Sequence, residues 1–173
     1  LKIKNIFDKI EKIKSVEGRL QLIRTLPNQS KIFLDYAHTP DALKICLENL
    51  KDQFLNRKIS VVFGCGGNRD KTKRALMGKI AEEFSDEIII TTDNPRFEKQ
   101  KDIVNDIVSN LSNDAYKIIP DRKKAIKKTI DENKNSIIIV LGKGAENYQI
   151  IENKKIPHSD IEIIKEYADN NKR

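Results

Sequence analysis

The sequence predicts an α/β domain built on a mostly parallel β-sheet with helices on its faces. Three observations carry that expectation. Short apolar runs alternate with longer segments whose apolar residues recur at three- and four-residue steps. One run, residues 136–141, is nearly all apolar, as a strand covered on both faces requires. Several runs end in glycine-rich or polar turns, and in open parallel sheets ligands collect outside the carboxyl ends of the strands.

Residues 1–15 carry Ile3, Ile6, Phe7, Ile10 and Ile13 at helical steps, which predicts an amphipathic helix or pair of turns. No initiator methionine precedes them, and no partner for their apolar face is evident in the residues downstream. We therefore expect residues 1–17 to be the tail of a preceding domain or a linker, and residues 18–173 to form the domain proper. Gly18 and Arg19 would mark the junction, where glycine permits a sharp change of direction. Residues 20–25 and Lys31–Asp35 predict a hairpin around the turn Pro27-Asn28-Gln29-Ser30. Thr39 is a good N-cap and Pro40 a good first helical residue for a stripe of Ala42, Leu43, Cys46, Leu47 and Leu50.

Val61, Val62 and Phe63 form a strand that stops at Gly64-Cys65-Gly66-Gly67. A helix over Thr72–Phe84 places Ala75, Leu76, Lys79, Ile80 and Phe84 on one face and Glu82 and Glu83 outward. Residues 87–92 are the next strand, and residues 101–111 a helix with Ile103, Val104, Ile107, Val108 and Leu111 on one side. Then come a brief strand at 116–119, a helix at 123–133 opened by Pro120-Asp121-Arg122, and the strand at 136–141. Residues 148–152 and 155–156 suggest an antiparallel edge, and Ser159 with Asp160 cap a last helix over 161–167. The whole is Rossmann-like: a mostly parallel sheet with flanking helices, an N-terminal hairpin and an antiparallel edge.

At 173 residues one well-buried domain is expected. Charged residues make up 34% and mean hydropathy is −0.56, as in a soluble protein. No apolar run approaches the roughly 20 residues of a membrane helix, so no membrane partner is expected and the compartment is read as cytoplasmic. Cys46 and Cys65 match neither a disulfide scaffold nor a zinc pattern, and read as reduced and buried. A net charge of +7 raises the question of nucleic acid. However, the 25 Lys and 8 Arg lie scattered among Asp and Glu, and aromatic residues are few, so no nucleic-acid partner is expected.

The candidate site is the set of strand exits: Asp35 to Asp41, Gly64 to Asp70, Asp93 to Arg96, and Gly142 to Glu146. Arg69 and Arg96 each offer a planar fork for a carboxylate or phosphate. Pro95 fixes its own φ and biases Asn94 toward extended geometry, which directs Arg96. Asp-Asn-Pro is also ordinary turn vocabulary, and glycine turns after strands are common. His38 alone reads as a capping-region histidine; with Asp35 in the same loop, a nucleotide or metal contact is open. Gly142-Lys143-Gly144 lacks the spacing of a nucleoside-triphosphate phosphate loop.

Four motifs then stand together in order: Asp35-Tyr36-Ala37-His38-Thr39-Pro40-Asp41-Ala42, Phe63-Gly64-Cys65-Gly66-Gly67-Asn68-Arg69-Asp70-Lys71, Asp93-Asn94-Pro95-Arg96, and Gly142-Lys143-Gly144 with Glu146. Over residues 18–165 the chain resembles the C-terminal domain of Mur ligases, and within that family the branch that adds meso-diaminopimelate. The resemblance implies an ATP-dependent acid–amino-acid ligase of peptidoglycan synthesis. ATP phosphorylates the D-glutamyl carboxylate of UDP-MurNAc-L-Ala-D-Glu, the amine of meso-diaminopimelate attacks the acyl phosphate, and phosphate leaves. ATP and Mg²⁺ belong mainly to a central domain that would lie with the N-terminal domain outside this chain. No catalytic residue and no metal ligand is therefore assigned here, and this piece is expected not to turn over alone.

Carried over by motif, Arg69, Asp93, Asn94, Pro95, Arg96, Gly142 and Glu146 are implied to hold meso-diaminopimelate, with Arg19, Asp35 and His38 facing the nucleotide. Ala145 departs from the family's Gly-Lys-Gly-His-Glu run, so no role is assigned to that side chain. Two alternatives stay open: a Mur or folylpolyglutamate-type ligase domain adding another amino acid, for which Arg96 discriminates, and a non-catalytic binding domain.

Overall fold

The central strand explains the layering. In β6 (Ile137–Leu141) every residue is buried, and successive side chains enter opposite layers. Ile137, Ile139 and Leu141 join one apolar cluster, whereas Ile138 and Val140 join the other. The computed structural model describes residues 16–113 and 115–170, and the expected N-terminal helix at 1–15 lies outside them.

Six strands form the main sheet in the order β1-β2-β6-β3-β4-β5. β1 (Gln21–Thr25) pairs antiparallel with β2 (Lys31–Asp35), giving the expected N-terminal hairpin. β3 (Ile59–Phe63), β4 (Glu87–Ile90) and β5 (Tyr116–Ile118) run parallel with β6 and β2. The helices are α1 (Pro40–Gln53), α2 (Thr72–Phe84), α3 (Gln100–Val108), α4 (Arg122–Glu132) and α5 (Asp160–Asn170). Residues of α1, α2 and α3 share one core cluster with one face of the sheet, and residues of α4 and α5 share the second cluster with the other face.

The chain steps outward from β3 to β4 to β5, then returns through α4 to insert β6 between β2 and β3. Strand order therefore reverses at β6, the kind of switch point beside which a crevice opens at the carboxyl ends of the strands.

Local chemistry accounts for several helix starts. The Thr39 hydroxyl accepts the Ala42 N–H at 3.3 Å and Pro40 occupies the first turn of α1. Asp121 caps α4 by accepting the Lys124 N–H at 3.0 Å. α3 ends at Val108, short of the expected Leu111.

Two expectations are corrected in detail, and a third is borne out. The buried face of α2 is Arg74, Met77, Gly78 and Ala81, while Leu76 is exposed. Apolar periodicity misplaced this face because its closest contact needs a glycine: a Cβ on Gly78 would stand 2.1 Å from the Ile107 carbonyl oxygen. At the start of α5, Ser159 does the capping, accepting the Glu162 N–H at 3.3 Å, whereas Asp160 turns inward and is buried. Finally, β7 (Tyr148–Ile151) and β8 (Lys154–Pro157) form the expected antiparallel hairpin as a separate two-stranded sheet. It meets the body through a bridge between Arg96 and Ile151.

Candidate functional site

The four polar turns converge at the carboxyl end of the sheet around a cleft of about 610 Å³. The turn after β3 and the turn after β4 are locked together. The Gly67 N–H donates to the Asn94 carbonyl at 2.9 Å, and a Cβ at Gly67 would lie 1.9 Å from the Pro95 carbonyl oxygen, so any side chain there would force the turns apart.

Arg74, fully buried on α2, holds the other side of this junction. Its Nη2 donates to the Gly66 carbonyl at 3.0 Å, and its Nη1 donates to Glu98 at 2.9 Å and Asp106 at 2.7 Å. Glu98 also accepts the Asn68 N–H. These bonds, the one from Arg74 foremost, hold the Glu98 carboxyl down at about 2.

Behind the cleft lining, bonded to two of its residues, lies Lys143, also fully buried. Its ammonium donates to Asn94 Oδ1 at 3.1 Å and to Glu146 Oε2 at 3.1 Å. Asn94 is oriented without ambiguity: Oδ1 also accepts the Ile150 N–H at 2.9 Å, and Nδ2 donates to Glu146 Oε2 at 3.3 Å. Asn94 is thus a positioning residue whose carbonyl oxygen is already committed. Glu146 is held through Oε2, which leaves Oε1 for a cation in the cleft. A buried ammonium is tolerated only with such partners.

The remaining predicted amino-acid-site residues are brought to the same place. Arg69, Asp93, Asn94, Arg96, Gly142 and Glu146 all line the cleft, and Pro95 shapes the turn between two of them. Arg69 is exposed and makes no hydrogen bond or ion pair among the described residues. Arg96 donates from Nη1 to the Gly67 carbonyl at 2.9 Å and to the Asn94 carbonyl at 3.3 Å. Those bonds fix the guanidinium and leave Nε and Nη2, its side-on edge, for a carboxylate. Asp93 is buried under the cleft and sits against Gly142, where a Cβ would approach its Oδ2 to 2.8 Å. Gly142 has φ +107°, open to glycine at no steric cost.

The predicted nucleotide-facing residues divide. His38 lines the cleft, with Nδ1 2.9 Å from the Tyr36 carbonyl and its ring edge-on to Tyr36 at 4.7 Å. Asp35 does not line it. Both carboxylate oxygens of Asp35 accept backbone N–H groups, from Leu20 at 2.6 Å and Ala37 at 2.7 Å, and so shape the two ends of the loop. Arg19 is exposed, its guanidinium 4.9 Å from the centre of the Tyr36 ring. Burial, then the Glu146 and Asp93 carboxylates, push the Tyr36 hydroxyl above its ordinary pKa.

Sequence reasoning missed Lys143 as a buried anchor, Arg74 as the clamp, and the contribution of β7 and β8, from which Tyr148, Ile150 and Lys155 line the cleft. The one signal available was the Gly-Lys-Gly run, where small residues on both sides of a lysine allow it to be enclosed.

Cys65 also lines the cleft, but burial pushes its thiol up to about 12, so it is a small apolar wall and not a nucleophile. Among the described residues, no group of three or more His, Cys, Asp and Glu side chains is placed to hold a metal ion. The cleft offers instead forks and ammonium groups for carboxylates and carboxylates for ammonium groups.

Comparison with known proteins places this arrangement. Residues 18–144 match the model of the Mur ligase, glutamate ligase domain. A UDP-N-acetylmuramoyl-L-alanyl-D-glutamate–2,6-diaminopimelate ligase of Rickettsia typhi is 46% identical over 170 residues, covering 96% of this chain and 33% of that protein. The chain thus spans about a third of the length of the curated relatives it matches. A solved structure of a ligase of the same name superposes with TM-score 0.84 at 34% identity, covering 100% of this chain and 36% of that one. A folylpolyglutamate synthase from Thermotoga maritima shares the fold at TM-score 0.61 and 20% identity, over 82% of this chain and 31% of its own. With its strand-exit motifs gathered around one cleft and the family model matched over most of its length, the chain belongs to the Mur ligase C-terminal domain family.

Proposed function

We propose that this chain is the amino-acid-binding domain of an ATP-dependent ligase that adds meso-diaminopimelate to UDP-MurNAc-L-Ala-D-Glu in peptidoglycan synthesis, in the cytoplasm. The observation that carries this reading is the charge pattern of one cleft: Arg69 and the side-on edge of Arg96 beside the open oxygen of Glu146. Meso-diaminopimelate carries two carboxylates and two ammonium groups, and such a set complements it. A ligand with an uncharged or cationic far end would leave one guanidinium without a partner.

In the reaction, Arg69 and Arg96 would hold carboxylates and Glu146 an ammonium group, orienting the remaining amine toward an acyl phosphate at the cleft mouth. The amine nitrogen bonds to the acyl carbon, the carbon–oxygen bond to phosphate breaks, and the amine loses a proton. Positioning of this kind is a large source of rate. ATP and Mg²⁺ supply activation of the carboxylate, and we assign their binding to the two thirds of the relatives' length that this chain does not span. His38 and Tyr36, with Arg19 over the Tyr36 ring, belong to the side of the cleft we assign to the nucleotide. The chain alone is then expected to bind without turnover.

Arg96→Ala in a full-length ligase carrying this domain tests the assignment. We expect kcat/KM for meso-diaminopimelate to fall by about 30-fold or more, as for loss of a charged, buried partner, with the KM for ATP unchanged. Wild-type kinetics with diaminopimelate in that variant would remove the substrate assignment. A ligase that adds another amino acid on this shared fold would reveal itself by wild-type turnover with that amino acid and none with diaminopimelate.

A further inference from the structure

We propose that the β7–β8 hairpin is a specificity element of the cleft, and that Gln149 is the positioning residue through which it holds the turn bearing Arg96. The proposal rests on the amino-acid-site reading above and deepens it.

Arg96 has φ +51°, a left-handed conformation that a side chain other than glycine adopts at a cost, so something must hold it. Both of its backbone polar groups are committed to the hairpin: its N–H donates to the Ile150 carbonyl at 3.1 Å, and its carbonyl accepts the Glu152 N–H at 2.8 Å. Proline at position 95 restricts its own torsion but makes neither of these bonds. The hairpin also reaches upstream. The Ile150 N–H donates to Asn94 Oδ1 at 2.9 Å, and Gln149 Nε2 donates to the Thr92 carbonyl at 3.2 Å and the Asp93 carbonyl at 3.0 Å.

Every residue from Thr92 to Arg96 except Pro95 therefore has a bond to residues 149–152. β7 and β8 pair with no strand of the main sheet, and Tyr148, Ile150 and Lys155 form a wall of the cleft. The hairpin and the turn thus stand or shift together. If the hairpin lifts, the cleft loses that wall and Arg96 loses the bonds that keep its backbone left-handed. A ligand that grips Arg96 in turn favours the docked hairpin. The whole hairpin lies beyond residue 144, where the match to the family model ends.

Gln149→Leu removes the two side-chain donors while keeping a half-buried residue of similar length. In a full-length ligase carrying this domain we expect the KM for meso-diaminopimelate to rise about tenfold, as for the loss of two hydrogen bonds of modest net contribution. We expect kcat and the KM for ATP to stay within about twofold, and Lys154→Ala, on the exposed outer edge of the hairpin, to change nothing. An unchanged KM for diaminopimelate, or a uniform decline in every parameter, would overturn the proposal. If the wild-type ligase does not use diaminopimelate at all, the amino-acid-site reading fails first, and the two failures are distinct. Hydrogen–deuterium exchange on the wild-type ligase decides the case even if the variant does not fold. Exchange in the peptide spanning 148–157 should slow several-fold when diaminopimelate is added, and exchange unaffected by saturating diaminopimelate would overturn the coupling.

Discussion

Two ion pairs of this domain lie near the same strand end and differ in how far they are closed off from solvent. Arg122 and Asp160 join α4 to α5, and neither side chain is exposed: Nε and Nη2 donate to the carboxylate at 2.7–3.2 Å, and Nη2 also donates to the Leu141 carbonyl. His158 Nε2 lies 2.8 Å from the same carboxylate. Burial alone would raise the Asp160 pKa, but Arg122 and His158 outweigh it and hold the acid well below the usual range. Lys143 and Glu146 form the second pair, with Lys143 sealed but the Glu146 side chain 23% exposed to the cleft. A pair sealed at both ends fixes helices; a pair with one end open leaves a charge facing the cleft, where the proposed function has it meet a ligand. On that proposal, burial of the second partner, and not the presence of the pair, separates a structural contact from a binding one.

The largest effect expected from this contrast is on stability at the sealed pair. Asp160→Ala leaves the Arg122 guanidinium buried without its partner and should cost roughly 3–5 kcal/mol in urea denaturation. Ligand affinity of the molecules that remain folded should change little. A loss near zero would show that Arg122 finds another acceptor or water, and the contrast would collapse.

At the open pair the order reverses. Lys143→Met should cost only roughly 1–2 kcal/mol, because Glu146 keeps its solvent contact and the thioether side chain fills the space. In a full-length ligase, however, Glu146 and Asn94 lose their shared anchor, and kcat/KM for meso-diaminopimelate should fall about a hundredfold, as for a misplaced reactant. Denaturation and steady-state kinetics on the one variant measure both. A variant that unfolds as readily as Asp160→Ala while retaining turnover would place Lys143 with the structural pair.

The smallest effect concerns Arg74 and Glu98, which join α2 to the residues just after the Arg96 turn. The folded Glu98 carboxyl, at about 2, lies below its ordinary 4.5, so its contribution to stability is complete above the ordinary value. It is lost as pH falls from about 4.5 toward 2, because the unfolded state takes up the proton first. Glu98→Gln should therefore destabilise the domain most at neutral pH, and the gap from wild type should narrow below about pH 4.5. A gap that stays constant down to about pH 3 would mean that the carboxylate charge contributes nothing and that only hydrogen bonding remains.

Much of this molecule follows from local physics. Alternating apolar runs and amphipathic stripes determined the α/β class, because strand and helix periods differ and each buried face has to be apolar. The turn residues marked the four strand exits that gather around the cleft, since glycine, proline and asparagine punctuate the chain wherever they stand. The separation of the β6 side chains into two layers was implicit in its unbroken apolar run.

Only the tertiary structure decided which charged residues are inside. Lys143, Arg74 and Arg122 look like surface cations in a chain with 34% charged residues, and their burial depends on Asn94, Glu98 and Asp160, which lie 49, 24 and 38 residues away. Likewise the left-handed backbone of Arg96 has no signature in Asp93-Asn94-Pro95-Arg96, and both of its backbone polar groups bond to a hairpin more than fifty residues downstream. Desolvated charge and strained backbone persist only where distant groups satisfy them. No window of sequence around the residue contains those groups.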